Sequence, residues 1–257
     1  MSIIYPANTI LLITAANVGI GVAIWILLSE VLSRLPLAAP VKRNWRLGTA
    51  LVLAAWLVVR LALEIDPPGG QTLGTPATIG FVVFGLVVGT LPLTLSATFR
   101  QIVRAAPSTW LIGLQVLRVV GGSFLVLLDM KLMPSAFALP AGYGDVIVAV
   151  LAALVVYLLM TDKPYARTAA ILWNFLGILD LVIALATGST FIPPFAAQLA
   201  ASGVSVLYLN YVLIIPAYGV PLAFVGHIYS LYQLLSRRVD VTKRNVDVSS
   251  QTSAFAK

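Results

Sequence analysis

Seven long apolar stretches run through this chain, and the loops between them are alternately rich in and nearly empty of basic residues. An α-helix needs about 20 apolar residues to cross ~30 Å of hydrocarbon. A chain that repeats such a run seven times offers water no surface along most of its length. Composition agrees. Of 257 residues, 60% are hydrophobic and 10% charged, whereas soluble domains carry roughly 25% charged residues. Lipid must therefore solvate most of the outside. In lipid every backbone polar group has to be paired within the segment, which favours helices. The expected fold is all-α, a seven-transmembrane-helix bundle.

The spans read as about Thr9–Leu32, Leu47–Leu63, Ala77–Ala97, Trp110–Leu128, Tyr143–Met160, Thr168–Thr187 and Ser205–Leu235. Residues 1–29 carry no charge, so the first span is expected to be a retained helix rather than a cleaved leader with a basic start. Residues 188–204, with Gly188 and the Pro193-Pro194 pair, read as a loop with a short interfacial helix. Residues 1–238 form the expected membrane domain, and 239–257 a polar tail expected to be disordered.

The basic residues set an orientation. Arg34, Lys42, Arg43 and Arg46 follow span one; Arg100 and Arg104 follow span three; Lys163 and Arg167 follow span five. Arg237, Arg238, Lys243, Arg244 and Lys257 follow span seven. The opposite loops hold only Lys131, with Arg60 at a helix end. Positive loops stay cytoplasmic, which predicts the N-terminus outside and the C-terminus inside. The same loops are suited to anionic lipid headgroups. They form no continuous basic face, so the net charge of +7 is orientation chemistry and no nucleic acid is expected.

Several function classes drop out on residue counts. There is no cysteine, and His227 is the one histidine. Disulfides, thiolate catalysis and multi-histidine haem or zinc sites built within this chain are excluded. Span seven holds no lysine for a retinal Schiff base. The residues name neither a cofactor nor a non-covalent pigment, and no metal site or catalytic residue is assigned.

Ionisable groups inside spans cost roughly 2.5–3.5 kcal/mol each on insertion scales and usually face a partner within the bundle. Gln115, Arg118, Gly122 and Asp129 fall at helical spacing on one face of span four. Arg118 lies too deep to reach either interface, and two carboxylates sit at compatible depth. Asp180 shares a face of span six with Trp173, Gly177 and Ala184; Asp145 follows a Gly142-Tyr143-Gly144 turn. Asn174 adds an amide, and Tyr208, Asn210, Tyr211 and Tyr218 make the first half of span seven polar. The candidate ligand-binding site or buried polar network is therefore Gln115, Arg118, Asp145, Asn174, Asp180 and Tyr211. A packing ion pair without further function explains the same pattern. His227 alone reads as a packing histidine or a relay. Arg60, Glu64 and Trp56 read as an interfacial anchor. Pro216 and Pro221 predict a kink in span seven, and Gly85/Gly89 a close contact of span three.

The wording QVLRVVGGSF from Gln115, MPSAFALPAGYGD from Met133 and WNFLGILDL from Trp173 resembles a widespread group of bacterial multi-spanning membrane proteins. The resemblance implies a bacterial cytoplasmic-membrane protein and singles out Arg118, Asp145, Asn174 and Asp180. It brings no activity with it. The expected function is non-enzymatic: binding or transport of a small solute or lipid, or service as a membrane-complex subunit or homo-oligomer. The rival is an intramembrane enzyme with Asp145 and Asp180 as acid and base.

Overall fold

The structure, a computed structural model, describes residues 7–65, 75–203, 212 and 214–236, with the side chains of 7–10, 64–65 and 75–77 excepted. Eight helices account for nearly all of it. They are α1 (Ala7–Arg34), α2 (Ala39–Ile65), α3 (Thr75–Leu95), α4 (Ala97–Ala105), α5 (Ser108–Asp129), α6 (Ser135–Met160), α7 (Ala166–Ala201) and α8 (residues 214–236). Six of these, all but α4 and α8, are long and apolar enough to cross a membrane. The chain is in this sense a multi-pass membrane protein. Part of the seventh expected span, and the whole tail beyond 236, lie outside the described residues. Leu51, Val58, Leu95, Val150, Met160 and Leu172 point outward and stay exposed, as lipid-facing positions do.

Helices α5–α8 form the packed core, with α6 set between α5 and α7. Two apolar clusters close this bundle above and below. Phe124, Leu127, Phe137, Ala138 and Ala141 fill one end, and Phe124 meets Phe137 edge to face. Ile112, Val148, Ala152, Val155, Trp173 and Leu234 fill the other. Helices α1–α3 stand on the flank of α5 and α8. Val31 and Leu32 of α1 pack on Ile102 and Ala106 at one end, while Trp56 of α2 packs on Tyr218 and Ile214 of α8 nearer the other.

Four expectations change shape. Residues 188–201 continue α7 instead of forming a loop: the helix runs 36 residues, about 54 Å. Ile192, Ala196 and Leu199 give it a reason, because they pack on the Leu132–Met133–Phe137 cluster. Gly142, Tyr143 and Gly144 lie within α6, not in a turn, since the helix already starts at Ser135. Their glycines are contact points: a Cβ on Gly142 would meet Leu125, and one on Gly144 would meet Asp180. Arg60 is fully buried with its guanidinium over Phe81 at 5.2 Å, not at an exposed helix end. Span four is not one α-helix, because residues Leu114–Gly122 of α5 form a 3₁₀ stretch.

Where a kink was expected, α8 has a π-turn, Ile215–Gly219, which contains Pro216 and ends two residues before Pro221. A proline has no N–H to give its preceding turn, and a wider turn accommodates the loss. Gly85 and Gly89 of α3 let this region approach closely. A Cβ on Gly85 would strike Trp56 and Pro221, and one on Gly89 would strike Val225.

Basic residues finish helices as well as loops. Lys42 and Arg46 donate to the Ser33 and Ser29 carbonyls of α1 (both 3.2 Å), Arg100 donates to the Leu93 and Thr94 carbonyls of α3, and Arg167 donates to the Leu234 carbonyl of α8. Of these, Lys42 and Arg100 serve carbonyls at the electronegative C-terminal ends of α1 and α3. Those ends gather at one pole of the bundle. The short helix α4 lies there too. It is capped by the Ser96 hydroxyl, which accepts from the Phe99 N–H, and it buries Ile102 and Val103.

Candidate functional site

Arg118 sits at the middle of α5, at the centre of α5–α8. Its local conformation explains its aim. A 3₁₀ helix has three residues per turn, so Gln115, Arg118 and Gly121 stack on one face, and these three are the buried residues of the stretch. Gly122, the position an α-helix would have placed there, turns aside. Asp129 is exposed and stands apart from the cluster.

The guanidinium is enclosed by three helices. Its Nε and Nη2 both meet Oδ1 of Asp145 from α6, at 2.7 and 2.6 Å. Nη2 also donates to Oδ2 of Asp180 from α7. Nη1 faces the Gly177 carbonyl and Nε2 of His227 from α8, each at 3.4 Å. Arginine can only donate, so His227 Nε2 accepts. His227 Nδ1 lies 2.9 Å from Asn174 Oδ1, while Asn174 Nδ2 donates to Ser230 Oγ and the Ala170 carbonyl. The network therefore assigns the neutral tautomer with the proton on Nδ1. Trp173 lies beside the ring at 4.9 Å, tilted by 49°, and donates its indole N–H to the Val148 carbonyl. Two carboxylates and an imidazole converge as metal ligands would, but the guanidinium occupies their centre.

Backbone glycine makes the close approach feasible. A Cβ on Gly121 of α5 would collide with Asp145 of α6; one on Gly144 of α6 would collide with Asp180 of α7. A Cβ on Gly177 of α7 would collide with His227 of α8, and one on Gly226 of α8 with Gln115 of α5. The pattern closes on itself. Each helix of the ring offers one bare backbone position to the polar side chain of the next. Small residues admit close backbones in membrane bundles; here they admit hydrogen-bonding side chains.

Five of the six sequence-derived candidates are thereby located. Arg118, Asp145, Asp180 and Asn174 belong to one connected network. Gln115 sits one turn away and donates to the Ala223 carbonyl at 3.0 Å. Tyr211, with Tyr208 and Asn210, lies outside the described residues. Sequence reasoning left His227 and Ser230 out of the set. The signal was present as a glycine one position before His227, the same juxtaposition as Gly144-Asp145.

Beside this ring, between it and α1–α3, lies a cavity of about 720 Å³. Its walls are mostly apolar, among them Ile20, Leu27, Val52, Val88 and Leu222. Gln115, Arg118, Gly121 and Asp145 form part of its lining, whereas Asp180 does not. Two further polar atoms on the lining residues are buried without a hydrogen-bond partner among the described residues: Oδ1 of Asn17 and Nε1 of Trp56. Both residues are more than nine-tenths buried. Asn17 Oδ1 lies against Gly219 of the π-turn, which the cavity also touches. Sequence reading passed over Asn17, although an amide in mid-span is itself a signal.

A family model described as a domain of unknown function, DUF8737, matches residues 73–235, more than half of the chain. The chain belongs to this family. No curated protein and no solved structure matches it. The matched segment carries the whole polar ring. Helices α1 and α2 precede it, so Asn17 and Trp56 bring the cavity wall from outside that segment.

Proposed function

We propose that this chain is a bacterial cytoplasmic-membrane protein of seven spans, N-terminus outside, that holds or carries a small amphipathic solute or lipid without transforming it. The observation that carries this reading is the cavity itself. Ligand sites are concave, mostly apolar and of 300–1,000 Å³, with a few placed polar groups. The 720 Å³ space fits that description, with Gln115 and Asp145 at one polar region and Asn17 and Trp56 at another. Unpaired buried polar atoms cost roughly 1–3 kcal/mol each, and a bound molecule that pairs them recovers this. An acid–base enzyme needs both groups at the substrate. Only Asp145 borders the cavity, which favours binding over catalysis.

The test uses Gly48 of α2. It lines the cavity, and a Cβ there meets nothing within 4 Å. Gly48→Phe should fill space without disturbing the fold. Native mass spectrometry of protein purified in mild detergent should show a bound small molecule on the wild type and its loss from Gly48→Phe at unchanged thermal stability. Empty protein in both cases, or a co-purifying polypeptide as the sole bound species, would replace this reading with that of a complex subunit.

A further inference from the structure

The geometry points to a positively charged occupant: an amphipathic ammonium whose cationic nitrogen sits at Asp145 and whose apolar body fills the cavity. This rests on the reading of the cavity as a binding site and names the class of ligand it takes.

An arginine beside a cavity suggests an anion site. Here it is not one. A guanidinium has five N–H donors; Arg118 uses four in hydrogen bonds to Asp145 Oδ1, Asp180, the Gly177 carbonyl and His227 Nε2, and its Nη2 is also in ion-pair contact with Asp145 Oδ1. An incoming carboxylate or phosphate would meet a guanidinium already paired with two carboxylates. The side chain that borders the cavity with capacity to spare is Asp145. Both of its contacts with Arg118 fall on Oδ1, leaving Oδ2, which lies against the bare Gly121 backbone on the cavity wall.

The charge count agrees. Two carboxylates share one guanidinium, so ionising both would leave a net charge of −1, which the neutral His227 tautomer does not offset. A buried uncompensated charge is costly, and a cation in the adjoining space compensates it. An independent observation has the same sense. Asn17 Oδ1, 2% exposed and unpartnered among the described residues, is a second acceptor on the same cavity. Trp45 and Trp56 bring aromatic rings to the same wall, where the unpaired Nε1 of Trp56 is free to donate to a polar atom of the ligand's body.

The experiment compares three probes that share one apolar cage: 1-aminoadamantane, 1-adamantanol and 1-adamantanecarboxylate. At pH 7 they are cationic, neutral and anionic. Binding to the full chain in lipid nanodiscs is read by calorimetry against empty nanodiscs. The amine should bind at least tenfold more tightly than the alcohol and the acid. Asp145→Asn should erase that preference while leaving binding of the alcohol in place, and Asp145→Glu should retain it, which separates a charge effect from misfolding. Equal affinity for all three, or tighter binding of the acid, overturns the cationic assignment and leaves the binding cavity standing. No binding by any probe, with Gly48→Phe also indistinguishable from wild type in its bound mass, overturns both.

Discussion

Arg118 shows how one residue can decide whether a bundle holds together. Its side chain is 7% exposed, and it is the ion-pair partner of both Asp145 and Asp180. Removing one member of such a buried set costs about 3–5 kcal/mol, because the survivors are left uncompensated. Arg118→Ala should therefore unfold the protein at markedly lower temperature in detergent, and Asp180→Asn should do less harm, since the amide still accepts a bond. Combining Arg118→Met with Asp145→Asn and Asp180→Leu removes every charge and should recover most of the lost stability. Failure of the triple variant to recover would mean that the network holds the fold by more than charge pairing. The glycines are testable at the same scale. Gly144→Ala puts a methyl on the Asp180 carboxylate and should cost about 1–3 kcal/mol, as overpacking does. Gly48→Ala, with open space around it, should be neutral or gain up to about 1 kcal/mol from helix propensity. Thermal unfolding of the pair distinguishes a contact glycine from an incidental one.

Among the elements, the 3₁₀ stretch of α5 and the π-turn of α8 are complementary distortions. The first tightens the helix so that Gln115, Arg118 and Gly121 align; the second widens it beside Asn17 and Trp56. Neither is legible from apolar periodicity, which assumes 3.6 residues per turn throughout. The join between α4 and α5 is held from a distance. Gln233 of α8 donates to the Val103 and Ala106 carbonyls and accepts from the Ser108 hydroxyl at 2.5 Å. Gln233→Leu leaves these groups buried and unpaired, which costs about 1–3 kcal/mol. Hydrogen exchange should quicken at the amides of residues 103–111 while the α6–α7 amides keep their protection. Uniform loss of protection would instead show that Gln233 supports the entire bundle.

For the whole molecule, the basic pole joins two physical effects. In the proposed orientation this pole is cytoplasmic, where positive residues are retained during insertion, and there Lys42 and Arg100 also serve the C-terminal carbonyls of α1 and α3. The proposed orientation is checked with cysteines, which the chain otherwise lacks. Ser202 follows the end of α7 and Lys163 joins α6 to α7; both are exposed and lie at opposite poles. Ser202→Cys should react with an impermeant maleimide added to intact cells, and Lys163→Cys should react only after lysis. The reverse result would invert the topology.

The sequence by itself determined the helical class, the presence of six long apolar helices, the close contact at Gly85 and Gly89, and the depth at which Arg118 must seek a carboxylate. These follow from local quantities: run length, charge count, and the cost of a bare ion in hydrocarbon. Only the tertiary structure decided that both Asp145 and Asp180 reach Arg118, that His227 and Asn174 extend the network, and that residues 188–201 continue a helix. Those outcomes depend on which backbone lies bare against which side chain, as at Gly121, Gly144, Gly177 and Gly226. The cavity is further from the sequence still. It is space left where α1–α3 stand off from α5 and α8, and no single segment encodes a space to whose walls all eight helices contribute.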